Sequence, residues 1–109
     1  MSIRKPTETD LIKPSLQLLA MRGAFAWRNN TGGMPTPSGG FIRFGTPGSG
    51  DIFAVLPDGR FLTVELKCGK NKVTPAEAAF MAQVRDRGGV CIVAYSITEL
   101  DALLKETME

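Results

Sequence analysis

The stretch from residue 51 to residue 67, DIFAVLPDGRFLTVELK, decides how this chain folds. Two strand-like runs, Asp51 to Leu56 and Phe61 to Lys67, are separated by Pro57, Asp58, Gly59 and Arg60. If Leu56 pairs with Arg60, the loop is Pro57-Asp58-Gly59, with Pro at the first turn position and Gly available for the left-handed one. That register sets Asp51 directly opposite Glu65, and the two-residue period of a strand puts Lys67 on the same face as Glu65. Two acids and a lysine then converge at one end of one face. The opposite face carries Ile52, Ala54, Leu56, Leu62, Val64 and Leu66, all apolar, and must be packed against helices. Packing gives no reason for an acidic pair beside a lysine at the edge of such a core, so the cluster points to chemistry.

Upstream of this hairpin, Gly45 to Gly50 (GTPGSG) brings the chain tightly into Asp51, and Phe41 to Phe44 reads as a short strand. Asn30 to Gly40 (NTGGMPTPSGG) is a turn-rich run that cannot be core. It reads either as a flexible connector or as a loop that orders on a ligand. Phe25 to Asn29 reads as a short strand, set off by Gly23 from a helix predicted between about Thr7 and Arg22 by the spacing of Leu11, Ile12, Leu16, Leu18 and Leu19. Thr7 is its N-cap. Pro14 conflicts with a helix beginning at Glu8, so the helix either bends there or starts near Pro14.

Downstream, Thr74-Pro75-Ala76-Glu77 supplies an N-cap, a Pro at the first helical position and a capping-box Glu. A helix to about Arg87 follows, stopped by Gly88-Gly89. Val90 to Tyr95 reads as a buried strand, and Ser96 with Glu99 repeats the capping-box pattern to open a last helix through about Glu106. The predicted fold class is α/β, a central mixed sheet flanked by helices, with residues 1–109 forming a single domain.

Composition narrows the chemistry. A hydrophobic fraction of 43% and a charged fraction of 22% place the chain among ordinary globular proteins, and 109 residues suffice for one core. No run approaches the roughly 20 apolar residues of a membrane span, and the first ten residues are polar, so a cytosolic (cytoplasmic) location is expected. Cys68 and Cys91 then read as a loop thiol and a buried strand residue. The absence of histidine excludes Ser/His/Asp triads, HNH-type nucleases, histidine-ligated zinc and imidazole acid/base catalysis. Any catalysis must rest on carboxylates, lysine and a hard metal. Residues 1–50 hold six Lys/Arg against Glu8 and Asp10, while the remainder holds seven against nine, an asymmetry that allows a polyanionic partner without demanding one.

Phosphodiester hydrolysis needs an activated water, neutralised transition-state charge and a stabilised leaving oxygen. Asp51 and Glu65 can hold a hard ion, Mg2+ or Mn2+, with help from a backbone carbonyl such as that of Leu66, from waters and from the phosphate. Lys67 can orient the water or stabilise developing negative charge, and it offsets repulsion between the acids.

These residues resemble the PD-(D/E)xK nuclease superfamily, in which a hairpin presents Asp and then (Asp/Glu)-x-Lys. The wider pattern is similar to the VRR-NUC branch, the virus-type replication and repair nucleases: Glu8 ahead of an apolar helix, Gly23, Trp27-Arg28-Asn29-Asn30, Gly50-Asp51-Ile52, Val64-Glu65-Leu66-Lys67, Thr74-Pro75, Phe80 and Arg87-Gly88-Gly89. The resemblance implies a restriction-endonuclease-like core, Asp51 and Glu65 as metal ligands, Lys67 as catalytic, and Glu8 as a further acid reaching the site. It also implies a DNA endonuclease acting on branched DNA such as four-way (Holliday) junctions, working as a homodimer with no organic cofactor. Two departures stand out. Gly50 replaces the Pro of the family motif, a change expected to matter little, and Glu77 stands where relatives often have Gln, its role as a helix cap being sufficient to explain it. Arg28, Arg43, Lys70 and Lys72 are the candidate phosphate contacts. Competing readings are a nucleic-acid-binding module of the same fold without catalysis, a structural ion-pair cluster, and a nuclease acting on flaps, nicked ends or single strands.

Overall fold

The computed structural model describes residues 6–30 and 32–109. Residues 1–5 of the polar N-terminal stretch and Thr31 of the turn-rich run lie outside that description.

The decisive hairpin forms in the expected register from Ile52 to Val55, but the ladder stops one residue short of the expected Asp51–Glu65 pair, and the Asp51 amide donates to the Val64 carbonyl. Strands β4 (Ile52–Val55) and β5 (Phe61–Leu66) pair antiparallel with Ile52 opposite Val64 and Val55 opposite Phe61. The Leu56 amide donates to the Arg60 carbonyl at 2.9 Å, closing the Pro57-Asp58-Gly59 loop, and Gly59 takes the left-handed conformation that loop requires. Strand β1 (Phe25–Arg28) joins antiparallel to β4, and β6 (Val90–Ala94) joins parallel to β5, giving one mixed sheet in the order β1-β4-β5-β6. A parallel neighbour requires a crossover, and α2 (Pro75–Asp86) provides it.

Helices cover both faces. α1 (Glu8–Met21) and α3 (Ile97–Met108) place Ile12, Leu19, Leu100 and Leu104 against Ile52, Ala54, Leu62, Val64, Leu66 and Ile92, and these residues form the buried core. α2 crosses the other face, where Phe80 stacks on Phe53 at 6.0 Å between ring centroids and Met81 is buried. Among the described residues no helix is long and apolar enough to cross a membrane.

The caps form as read. The Thr7 side chain accepts from the Asp10 amide and the Thr74 side chain from the Glu77 amide, each in a reciprocal capping box. At the third helix Ser96 caps Glu99, but the Glu99 carboxylate accepts from the Tyr95 amide. α1 runs unbroken through Pro14. That residue lies on the exposed side, where the backbone bond that it cannot donate is least costly.

The turn-rich run departs from its reading as a connector or ligand-ordered loop. Gly32–Pro35 is a strand, β2, paired antiparallel with β3 (Phe41–Phe44) in a separate two-stranded sheet. Its tip is closed by Thr36, whose amide donates to the Gly40 carbonyl and whose hydroxyl accepts from the Gly40 amide. Glycine and proline signal turns locally, whereas strand formation here depends on a partner six or more residues away, which composition does not encode.

Candidate functional site

The site lies at the C-terminal end of β5, where α2 begins and where loop 45–50 delivers the chain into β4. Asp51 is held from several sides. Its amide donates to the Val64 carbonyl at 2.8 Å, its carbonyl accepts from the Asn29 amide at 2.9 Å, and its Oδ2 accepts from the Leu66 amide at 2.7 Å. The Asn29 side chain donates to Ser49 Oγ and to the Gly50 carbonyl, so the end of β1 ties down the entry to Asp51. Gly50 is less permissive than its departure from the family motif suggested. A Cβ there would stand 2.4 Å from Thr63 Oγ1 and 2.7 Å from the Val64 carbonyl oxygen, so any side chain at this entry to β4 would push β5 or the loop out of place. Gly48 has a positive φ of 79°, and a Cβ on it would meet the Ala76 carbonyl at 2.2 Å. Loop 45–50 therefore rests directly on the first turn of α2.

Glu65 and Lys67 project from the α2 side of β5, and both are buried. Lys67 Nζ donates to both oxygens of Glu77, at 2.8 and 3.1 Å, and lies 3.8 Å from Glu65 Oε1. Glu77, in the first turn of α2, also accepts from the Thr74 amide at 2.8 Å. Its helix-cap role is real, but it does not exhaust the residue. The carboxylate that caps α2 is the same one that anchors the lysine, and Glu77 belongs to the site.

Three acids share one lysine. Burial, a hydrogen bond with Glu77 and the negative charges of Asp51 and Glu77 push the Glu65 carboxyl up to about 9 against the opposing pull of Lys67. Burial also raises Asp51, although the Leu66 amide, Glu65 and Lys67 oppose it. Burial acts to raise Glu77 too, but hydrogen bonds with Glu65, Lys67 and Thr74 outweigh it and bring that group down to about 2. For Lys67 burial favours the neutral amine, yet the bond to Glu77 and the surrounding carboxylates raise it and keep it charged. The cluster thus carries more negative potential than one ammonium balances, and a proton on Glu65 takes up the excess.

This has a consequence for stability. An unfolded Glu releases its proton near 4.5, whereas folded Glu65 keeps it to about 9. Between those values the folded state binds more protons than the unfolded one, so the contribution of Glu65 to stability falls as pH rises through the window. Glu77 works in the opposite direction at lower pH: its contribution is present above 4.5 and is lost as pH falls toward 2. In chelator, the thermal midpoint is expected to decline from about pH 5 to about pH 9, and Glu65→Gln should flatten that decline. Magnesium should raise the midpoint most at the alkaline end, because a cation competes with the proton for the same oxygens. A wild-type midpoint independent of pH over this range would contradict the proton-loaded Glu65.

The donor set could suit a hard cation. Asp51 and Glu65 offer carboxylate oxygens, and by strand alternation the Leu66 carbonyl leaves β5 on the side of its amide, toward Asp51. Among the described residues no three His, Cys, Asp or Glu side chains form a ready-made ligating group. Waters and substrate oxygens would have to complete the shell, which is the usual condition of magnesium.

The other candidate residues fall in different places. Glu8 begins α1 and accepts from Asn71 Nδ2 at 3.1 Å; its charge acts on Cys68, while the groups acting on Asp51 are Leu66, Glu65, Lys67 and Glu77. Lys70 and Lys72 are exposed in the loop joining Lys67 to α2 and so flank the site. Arg43 lies on β3 with its guanidinium 5.7 Å from the centre of the Phe41 ring. Arg28 is exposed but pairs with Ile52, which places it on the sheet face opposite Asp51 and Glu65. Sequence reasoning missed the placing roles of Asn29, which the resemblance had only quoted, and of Glu77, whose capping motif hid a second use. Comparison with protein families, curated proteins and solved structures returns no match.

Proposed function

We propose that this chain is a divalent-metal-dependent DNA endonuclease of the PD-(D/E)xK type, in which Asp51 and Glu65, with the Leu66 carbonyl, hold Mg2+ or Mn2+ and Lys67 is catalytic. The supporting observation is the convergence of Asp51, Glu65 and Lys67 at the edge of the sheet, with a Glu65 that must bind a proton or a cation. Burying Glu65 beside the carboxylates of Asp51 and Glu77 is costly to fold and is more readily explained by a ligand than by stability. A divalent ion bound there supplies Lewis acidity toward the phosphate and a more acidic water.

The chain's own groups do the rest. The Leu66 amide fixes one oxygen of Asp51, and Asn29 fixes the backbone on either side of it, so the carboxylate is pre-positioned. Lys67, held by Glu77, presents a fixed positive charge where negative charge develops on the phosphate oxygens. With no histidine in the chain, proton transfer falls to water and to these carboxylates. The VRR-NUC likeness extends the reading to branched DNA, four-way junctions above all, cut by two copies whose paired sites face two strands. Lys70, Lys72 and Arg43 supply phosphate contacts, with Arg28 available from the far face.

The test is cleavage of labelled four-way junctions, flaps, nicked and linear duplexes and single strands, with and without divalent metal. Activity should vanish in chelator and return with magnesium or manganese, with junctions cut fastest. Cleavage indifferent to chelator, activity specific to zinc, or no cleavage of any substrate would overturn the proposal.

A further inference from the structure

We propose that the root of the β2–β3 hairpin holds a subsite for one unpaired nucleotide of the DNA substrate, its base stacked on Phe41 and its phosphate met by Arg43. The subsite rests on the proposed function and adds to it a means of choosing among substrates. A cleft of about 350 Å³ opens between the hairpin and loop 45–50, with Gly33, Phe41 and Arg43 on one side and Thr46, Pro47 and Gly48 on the other. Gly33 pairs with Arg43 and Pro35 with Phe41, so strand alternation sets Gly33, Phe41 and Arg43 on the same face of the hairpin.

A missing side chain places the Phe41 ring. A Cβ on Gly33 would stand 2.4 Å from Cε1 and 2.6 Å from Cζ of that ring, so the ring lies across the bare backbone of Gly33. Phe41 is nevertheless 61% exposed. The ring therefore rests on the chain and still offers surface on which a second planar group can stack. The Arg43 guanidinium stands 5.7 Å from the ring centre, a cation–π arrangement that leaves its N–H donors at the rim for a ligand. The chain has no acid between residues 11 and 50, so Arg43 meets no carboxylate from its own segment and the cleft favours an anion.

An aromatic face beside an uncompensated guanidinium matches a nucleotide, the base going to the ring and the phosphate to the cation. Inside a duplex both faces of a base are covered by its neighbours, whereas an unpaired base has a face to give. Extrusion costs least where pairing is already broken, so the subsite selects branch points, bulges and flaps over continuous duplex. Its position suits that task. Gly48 stands three residues before Asp51, at most about 11 Å along an extended chain. Contact of Gly48 with the Ala76 carbonyl seats the loop on α2, and the Asn29 side chain ties down Ser49 and Gly50. A base held in the cleft thus belongs to a nucleotide within a few positions of the bond presented to Asp51 and Glu65.

Binding of the full chain in chelator, where no bond is cut, tests the subsite apart from the chemistry. Fluorescence anisotropy compares a labelled duplex carrying one bulged adenine, the same duplex with an abasic residue at the bulge, and a continuous duplex. Wild type should bind the bulged adenine about 10-fold or more tighter than the abasic form, the scale of one base–aromatic stack. Phe41→Leu keeps an apolar side chain and lacks the ring; it should lose that difference and bind continuous duplex as wild type does. Phe41→Trp should retain the difference, and Gly33→Ala, whose Cβ displaces the ring, should lose it. Equal affinity of wild type for the adenine and abasic forms overturns the proposal. So does a Phe41→Leu protein that keeps the preference, or deoxyadenosine monophosphate that displaces the bulged DNA at equal concentration. Metal-dependent cleavage without the adenine preference removes the subsite and leaves the proposed function standing. A preference carried by Phe41 in a protein that never cleaves removes the nuclease and leaves the subsite.

Discussion

Asp51→Asn and Glu65→Gln are each expected to abolish metal-dependent cleavage, lowering the single-turnover rate by about 1,000-fold or more, while the protein remains folded and binds DNA. The size follows from the several kcal/mol of charge stabilisation that a coordinated ion contributes to phosphoryl transfer. Preserved folding follows from the electrostatics. Glu65 holds its proton to about 9, so at neutral pH glutamine replaces a carboxyl that is already neutral in the folded protein. At pH 8 in chelator, Glu65→Gln should therefore be at least as stable as wild type. Asparagine at 51 keeps an oxygen able to accept from the Leu66 amide, the bond that orients this side chain. Calorimetric titration with manganese, thermal unfolding and cleavage together provide the test. If both variants lose folded protein in step with activity, the acids are structural and the ion-pair reading prevails.

Removing Lys67 should slow the chemistry by about 100-fold, equivalent to about 3 kcal/mol, while metal affinity stays the same or rises, because one competing cation has gone. The simple Lys67→Ala change is a poor instrument for this purpose. Lys67 is buried and paired with both oxygens of the half-buried Glu77, so truncation would leave that carboxylate without its cation and empty a buried position, which destabilises the fold as well as the chemistry. Lys67→Met combined with Glu77→Gln removes the ammonium without leaving that charge. Glu77→Gln alone keeps an oxygen for Lys67 and for the Thr74 amide, and it should cost far less than the pair. Loss of metal binding in parallel with activity in the folded double variant would make Lys67 an organiser of the site and not a participant in the reaction.

Much of this was legible from short-range rules. The Pro57-Asp58-Gly59 loop sets the β4–β5 register, and strand alternation extended from it predicts Asp51, Glu65 and Lys67 on one face with no knowledge of the rest of the fold. Thr7, Thr74 and Ser96 mark the helix starts because a cap is a contact between residues three apart. Pro14 misleads in the other direction: its cost depends on which side of the helix it occupies, which is a property of packing.

What the sequence by itself determined is thus the hairpin, its register, the three helices and the pairing of two acids with a lysine, since each rests on contacts within a turn or across a tight loop. Only the tertiary structure decided how that cluster behaves. The parallel docking of β6 through α2 brings Glu77 onto Lys67 across ten residues of sequence, buries the ammonium and forces Glu65 to hold a proton. The same is true of the β2–β3 hairpin, whose strands exist because residues six to twelve positions apart meet and whose side chains are exposed among the described residues. Burial and charge coupling depend on where elements meet in space, and local sequence rules do not carry that information.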